Sequence, residues 1–238
     1  MNLLVLGQGQ SVIGLVSPFI EAGENWTVKS SFGDNCDMGT QPTTERGRQT
    51  RQRIVNAAAQ VVAEKGALAA SLDDVGARAM ASRSQLYHYF DDKNDLLRAV
   101  AEATNDAVLR AQVDLFAALD TWDGLVAWTN AIVTIQEQGG GPRGCPIANL
   151  LGQLGERDEG IRAVLADGFD RWEAHIRSGL AAMFAAGELR AEADPAWLAA
   201  STLASLQGGL ILAHARHDSR PLRDALDGAL ALIGTYRA

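Results

Sequence analysis

Within Ser71 to Lys93, SLDDVGARAMASRSQLYHYFDDK, a helix-start signature occurs twice in quick succession, and this repetition constrains the fold more than any other feature of the chain. Ser71 is followed three residues later by Asp74, and Ser82 by Gln85. In each case a hydroxyl can accept from the third amide of a helix while the later side chain reaches back to the cap. Leu72, Val75 and Ala79 recur at three and four residues and give the first helix one buried stripe. The pattern breaks at Met80 and Ala81, so a second helix begins after about one turn of chain, and two helices so close pack at a steep angle.

In the second helix Leu86 and Phe90 lie one turn apart and face inward. At about 100° per residue, Ser84, Gln85 and His88 then point outward, with Arg83 and Tyr87 on the shoulder. A helix entering a major groove presents such a face, its first residues toward base edges and its flanks toward phosphates. The same spacing also suits a capped helix with a solvated face.

The sequence around these residues resembles the tetracycline-repressor (TetR) family of transcriptional regulators. The resemblance starts at TRQRIVNAAAQVVAEKG, continues through SLDDVGARAMASRSQLYHYFDDKNDLLRAV, and covers about Thr50 to Val100. It implies an all-α fold, with an N-terminal three-helix helix-turn-helix domain and a C-terminal helical domain for ligand binding and dimerisation. It makes the helix from Arg83 to Phe90 the recognition helix, with Arg83, Ser84 and Gln85 reading bases beside the capping Ser82. Tyr87, His88, Tyr89 and Lys93 match positions that usually grip phosphates, and Arg51 joins them from the first helix. The implied partners are a pseudo-palindromic double-stranded operator, a small-molecule inducer and a second copy of the chain; no cofactor is implied. Three residues depart from the family pattern: Met80 and Ser84 stand where glycine is frequent, and Tyr89 where histidine is frequent. Glycine suits a turn with positive φ, so Met80 implies either a different turn or a strained one.

The formal net charge of -8 has the wrong sign for a chain that coats nucleic acid along its length, so DNA binding has to be local. Arg46, Arg48, Arg51 and Arg53 supply that locality, with only Glu45 beside them. Cys36 and Cys145 are too few for a disulfide framework or a zinc site, which points to a reducing cytoplasm. No apolar run is expected to reach the roughly 18 to 20 residues of a membrane span, and Met1 to Ile20 lacks the basic start of a signal peptide.

Three segments are expected: an N-terminal extension over 1–48, a helix-turn-helix domain over 49–95, and a ligand-binding and dimerisation domain over 96–238. In the extension, Gly7 and Gly9 begin a dinucleotide-binding fingerprint, but Val12 occupies the third glycine position. Met38 is a candidate true start, because a short polar, basic arm follows it. Helices are expected over 50–65, 92–118, 122–138, 146–154 and 158–186, followed by two that open near Pro195 and Pro221. The last two carry broad apolar stripes and small residues suited to a four-helix interface between copies.

Phe116, Trp122, Trp128, Phe169, Trp172 and Met183 offer apolar surface for a ligand pocket, with His175 and His214 as polar contacts. Each is also an ordinary core residue. Cys145, in RGCPIANLL, sits at the expected start of a helix beside Arg143, an arrangement that favours thiolate and a redox or electrophile sensor. A buried cysteine acting as a small hydrophobe satisfies the same sequence. The GCP segment resembles an electrophile- or drug-responsive branch of the family. An activator remains the alternative to a repressor. An enzyme is weakly supported, since no paired carboxylates, metal-ligand spacing or activated nucleophile emerges, and a helical adaptor that has lost DNA binding is the third reading.

Overall fold

The computed structural model describes Pro42, residues 44–138 and residues 141–238. The expectations for the leader, including Gly7, Gly9, Cys36 and Met38, lie outside the described residues. Ten helices are present among those described: α1 Glu45–Lys65, α2 Leu72–Ala79, α3 Arg83–Tyr89, α4 Lys93–Arg110, α5 Val113–Phe116, α6 Trp122–Glu137, α7 Pro146–Leu154, α8 Glu159–Ala185, α9 Pro195–Arg216 and α10 Arg220–Gly234. The β-type pairing among described residues is an isolated antiparallel bridge between Leu189 and Arg237, which pins the C-terminus beside the α8–α9 turn.

α1 begins five residues before the expected Thr50. The Thr44 hydroxyl caps it by accepting from Gly47 N–H. Gly47 is buried, and a Cβ there would stand 2.7 Å from Pro42 Cβ, so glycine allows a close approach at the start of the helix. Ile54, Val55, Ala58, Val61 and Val62 form the buried face, and Gly66 ends the helix at φ 82. Both expected capping boxes form, Ser71 with Asp74 and Ser82 with Gln85. Lys65–Asp74 at 2.6 Å and Arg78–Glu64 at 2.5 Å tie α1 to α2 across the surface.

The single helix expected over 92–118 is broken after Arg110. Gln112 takes φ -116 and ψ 5, and α5 is a separate turn. The cause lies in the core. Trp128 is fully buried and its indole N–H needs an acceptor. Gln112, only 4% exposed, supplies Oε1 at 3.0 Å and donates its own amide to Val108 O at 2.9 Å. Bringing that amide inward takes the backbone out of the helix.

α8 crosses α4 where Gly168 meets Asn105, leaving no room for a Cβ, and Asn105 Nδ2 donates to Val164 O at 2.6 Å. α9 corrects the membrane expectation: by length and composition its 22 residues could cross a bilayer. It packs instead on α8 and α10 through Leu198, Leu203, Leu206 and Leu210. Its other side leaves Trp197, Ile211 and Leu212 exposed. A continuous apolar core runs from Ile54 in α1 to Ile233 in α10.

Candidate nucleic-acid interface

Leu86 and Phe90 are 2% and 3% exposed, so α3 is held by the face its spacing predicts. Ser82, Arg83, Ser84, Gln85, Tyr87 and His88 are exposed, and Tyr89 is half-buried against the core. The Arg83 guanidinium lies 5.9 Å from the Tyr87 ring centroid, and His88 meets Tyr89 edge-on at 4.9 Å. Gln85 is already partly committed: its Oε1 accepts from Ser82 N–H at 2.9 Å, and the Ser82 hydroxyl accepts from Gln85 N–H at 3.2 Å. A bidentate contact to adenine needs both ends of the amide, so making one would open the capping box, whereas its Nε2 can donate without that cost.

The N-terminal part of α1 lies across a cleft from α3. Thr44, Arg46, Gly47, Thr50 and Arg53 form one wall, and Ser84, Gln85, His88 and Tyr89 the other. The sequence reading flagged the arginine cluster but not Thr44 or Thr50, whose place depends on the earlier helix start. Arg46 is exposed, whereas Arg48 is bound to Glu45 at 2.7 Å. Arg51 is not among the cleft-lining residues. Its guanidinium lies 5.1 Å from the Phe90 ring centroid, and it counters the burial that pushes the Glu102 carboxyl up. Lys93 donates to Leu68 O at 3.2 Å, so it bridges the start of α4 to the α1–α2 turn.

Behind this cleft lies a partly open cavity of about 630 Å³ lined by α1, α4, α6, α7, α8, α9 and the 141–145 segment. Among the expected pocket residues, Trp172 and His214 line it, as does Cys145. The others do not. Trp128 and Met183 are fully buried in the core, and Phe169 packs against it. Phe116 stacks on His175 with centroids 4.3 Å apart, and Trp122 lies 4.5 Å beneath the Arg237 guanidinium. These aromatics belong to the inward stripes of their helices, so the packing itself uses them. The polar wall was missed: Gln60, Thr104, Gln112, Gln136, Asn149 and Gln153 come from four helices and the α4–α5 break, and only tertiary packing gathers them.

Trp172 is 3% exposed, and its indole N–H has no acceptor among the described residues. His214 Nδ1 is 3.0 Å from Pro142 O and fastens α9 to the segment before Cys145. The expected thiolate at Cys145 is not supported. Burial pushes the thiol up, and the opposing amides of Ala148 and Ile147 and the side chain of Gln207 are weaker. The charged groups at this wall lie at its rim, with Glu64 paired to Arg78 and Arg143 exposed. No group of three or more potential metal ligands occurs among the described residues.

Comparison with known proteins places both halves of this arrangement. Residues 54–100 match the family described as bacterial regulatory proteins, tetR family, and residues 121–229 match the Tetracyclin repressor-like, C-terminal domain. The transcriptional regulator AcuR of Cereibacter sphaeroides is 28% identical over 164 residues, 68% of this chain and 75% of that protein. An uncharacterised HTH-type transcriptional regulator of Mycobacterium tuberculosis, MT0206, is 30% identical over 182 residues, 72% of this chain and 88% of that protein. The crystal structure of a regulatory protein TetR from Rhodobacter sphaeroides superposes with a TM-score of 0.65 at 24% identity, over 76% of this chain and 97% of that one. With a helix-turn-helix matched at one end, a repressor-like helical domain at the other and a 30%-identical regulator spanned over most of its length, the chain belongs to the TetR family of transcriptional regulators.

Proposed function

We propose that this regulator is a homodimeric repressor that leaves its operator when a neutral, largely apolar ligand fills the cavity. The carrying observation is the use made of α1: its first turns form one wall of the cleft facing α3, and its last turns, with Gln60, Ala63 and Glu64, form one wall of the cavity. A ligand that changes how α1 lies against α4 and α7 therefore changes where α3 points.

Residues 49–95 are read as the DNA-binding unit and 96–238 as the sensing and dimerising unit. Ser82, Arg83, Ser84 and Gln85 are placed at base edges, and Arg46, Thr50, Tyr87, His88, Tyr89 and Lys93 at phosphates. Exposed Trp197, Ile211 and Leu212 on α9 support a twofold interface that includes α10 and sets the two recognition helices about 34 to 36 Å apart. Neutrality of the ligand follows from a wall whose charges stand at the rim, because an ion would be buried unpaired. The cytoplasm, where the chromosome is, is the site of action. An electrophile-responsive mode is the second reading, supported by Cys145 lining the cavity. Its buried thiol is held protonated, so such a ligand would first bind and then react slowly.

The test is a fluorescence-anisotropy titration with DNA from upstream of the protein's own coding region, beside scrambled DNA, at several salt concentrations. Tight binding that prefers the native fragment and falls steeply with salt is expected. Arg46→Ala should lower the log–log salt slope by about 0.9, the loss of one phosphate contact. Equal weak binding to both fragments, and to duplexes enriched from a random pool, would overturn the proposal.

A further inference from the structure

The turn joining α2 to α3 puts a methionine where the backbone favours glycine. Ala81 N–H donates to Gly76 O at 2.9 Å and Met80 N–H to Ala77 O at 3.4 Å, the paired closure of a Schellman motif. Met80 itself stands at φ 48 and ψ 46, in the left-handed region that a Cβ disfavours. Its side chain is 84% exposed and gains no packing that would offset that cost. Leu86 and Phe90 hold one face of α3, and the conformation of Met80 sets how the chain leaves α2 to enter it.

Arg53 reaches the turn from α1. Its Nη1 donates to Ala79 O and lies 3.5 Å from Met80 O, so one guanidinium caps the carbonyl end of α2 and engages the left-handed residue. The neighbouring arginines are placed elsewhere, Arg51 over Phe90 and Arg48 on Glu45. We propose that Arg53 is a positioning residue for DNA reading, holding the Met80 turn so that α3 is presented correctly, and that it is not a phosphate contact despite lining the cleft. This rests on α3 being the DNA-reading element.

Two independent readouts test it. The first is amide hydrogen exchange without DNA in wild type, Arg53→Ala, Met80→Gly and the double variant. Protection of Met80 and Ala81 should fall in Arg53→Ala and return in the double variant, because glycine holds the same turn without help. Unchanged protection in Arg53→Ala overturns the proposal. The second is anisotropy against a duplex enriched by the wild-type protein from a random pool. Arg53→Ala should weaken binding roughly tenfold, the size of a charged hydrogen bond to a carbonyl, with the salt slope unchanged. The double variant should bind within about threefold of Met80→Gly alone. A slope lower by about 0.9 marks a lost phosphate contact and overturns the proposal, as does a double variant as weak as Arg53→Ala. Thermal melting of each variant separates these effects from unfolding. If the wild type enriches no duplex, the DNA-reading assignment fails, while the exchange result still decides whether Arg53 holds the turn.

Discussion

The bond between Trp128 and Gln112 makes a quantitative demand on the helical half that follows α3. Gln112→Leu keeps the volume roughly constant and removes the sole acceptor shown for a fully buried indole N–H. An unpartnered buried donor costs about 1–3 kcal/mol. For a chain of this length that corresponds to a fall in Tm of about 4–8 °C at the middle of the range. Trp128→Phe removes the donor, strands Gln112 Oε1 and leaves a small void, for about 2–3 kcal/mol. The double variant has neither polar partner, so its cost should fall short of the sum of the singles by about 1–3 kcal/mol. Urea unfolding at one fixed protomer concentration measures all four proteins, since the stability of a dimer depends on concentration. Costs that add to within about 0.5 kcal/mol would refute the bond, and with it the explanation of why α4 stops at Arg110.

Three further outcomes follow from the local chemistry. In a Cys36→Ser background, Cys145 should react with iodoacetamide at pH 7.5 at least tenfold more slowly than a free thiol and accelerate only in alkali, because burial raises its pKa; fast reaction at neutral pH would contradict this. The sign for stability matches: the folded thiol's pKa lies above its unfolded value, so this contribution is complete below the unfolded pKa and is lost as pH rises through the folded one. Asp74 is lowered to about 2 by Lys65 first and then by Ser71, so the α2 capping box should hold above the unfolded value of 3.8 and fray as pH falls toward 2. Amide exchange at Asp74 against pH checks it, and an Asp74→Asn variant should lose the pH step. Finally, Gln153 Oε1 accepts from Ala67 N–H at 2.7 Å, tying α7 to the α1–α2 turn. Gln153→Ala should speed Ala67 exchange by tenfold or more while leaving Leu97 in α4 unchanged, and an unaltered Ala67 would show that the tie carries no load.

What the sequence made legible follows the range of the forces involved. Both capping boxes span three residues, and Pro146, Pro195 and Pro221 stand within the first turns of α7, α9 and α10, so these helix starts could be read locally. The earlier start of α1 was hidden because Thr44 caps it and Gly47 admits Pro42 across its first turn, neither of which leaves a periodic apolar signal. The break at Gln112 was hidden because its cause, Trp128, lies 16 residues away. The cavity was least legible. An inward stripe identifies which side of a helix is buried but not whether it meets a neighbour or a void, so Trp128 and Met183 were as plausible as Trp172. Its polar wall carried no periodic signal: Gln60 and Gln153 share a wall only when α1 and α7 are brought to the same cavity. Met80 left a usable signal, a non-glycine at a turn, and the structure shows that the turn is retained in the left-handed conformation.

The proposed switch sets an energetic requirement on any coupling between the cavity and the cleft. Moving a two-state regulator from 1:99 to 99:1 takes about 5.5 kcal/mol of differential ligand affinity. The hydrogen bond from Ala67 to Gln153 supplies about 1 kcal/mol if a ligand breaks it, a factor of roughly five, so it cannot carry the transition alone. The remaining 4.5 kcal/mol or so corresponds to about 180 Å² of apolar surface at 25 cal/mol per Å². Surface of that kind lies where α1 meets α4, with Ala59 and Val62 facing the same cavity as Val100 and Val108. A ligand that gains apolar contact with α4 in one arrangement of α1 and loses it in the other would supply the larger share. The same helix starts in the cleft beside α3, so on this proposal the response needs no separate linker. Substitutions at Ala59 or Val62 should then alter ligand response more than substitutions at Gln153, although neither Ala59 nor Val62 lines the cleft beside α3.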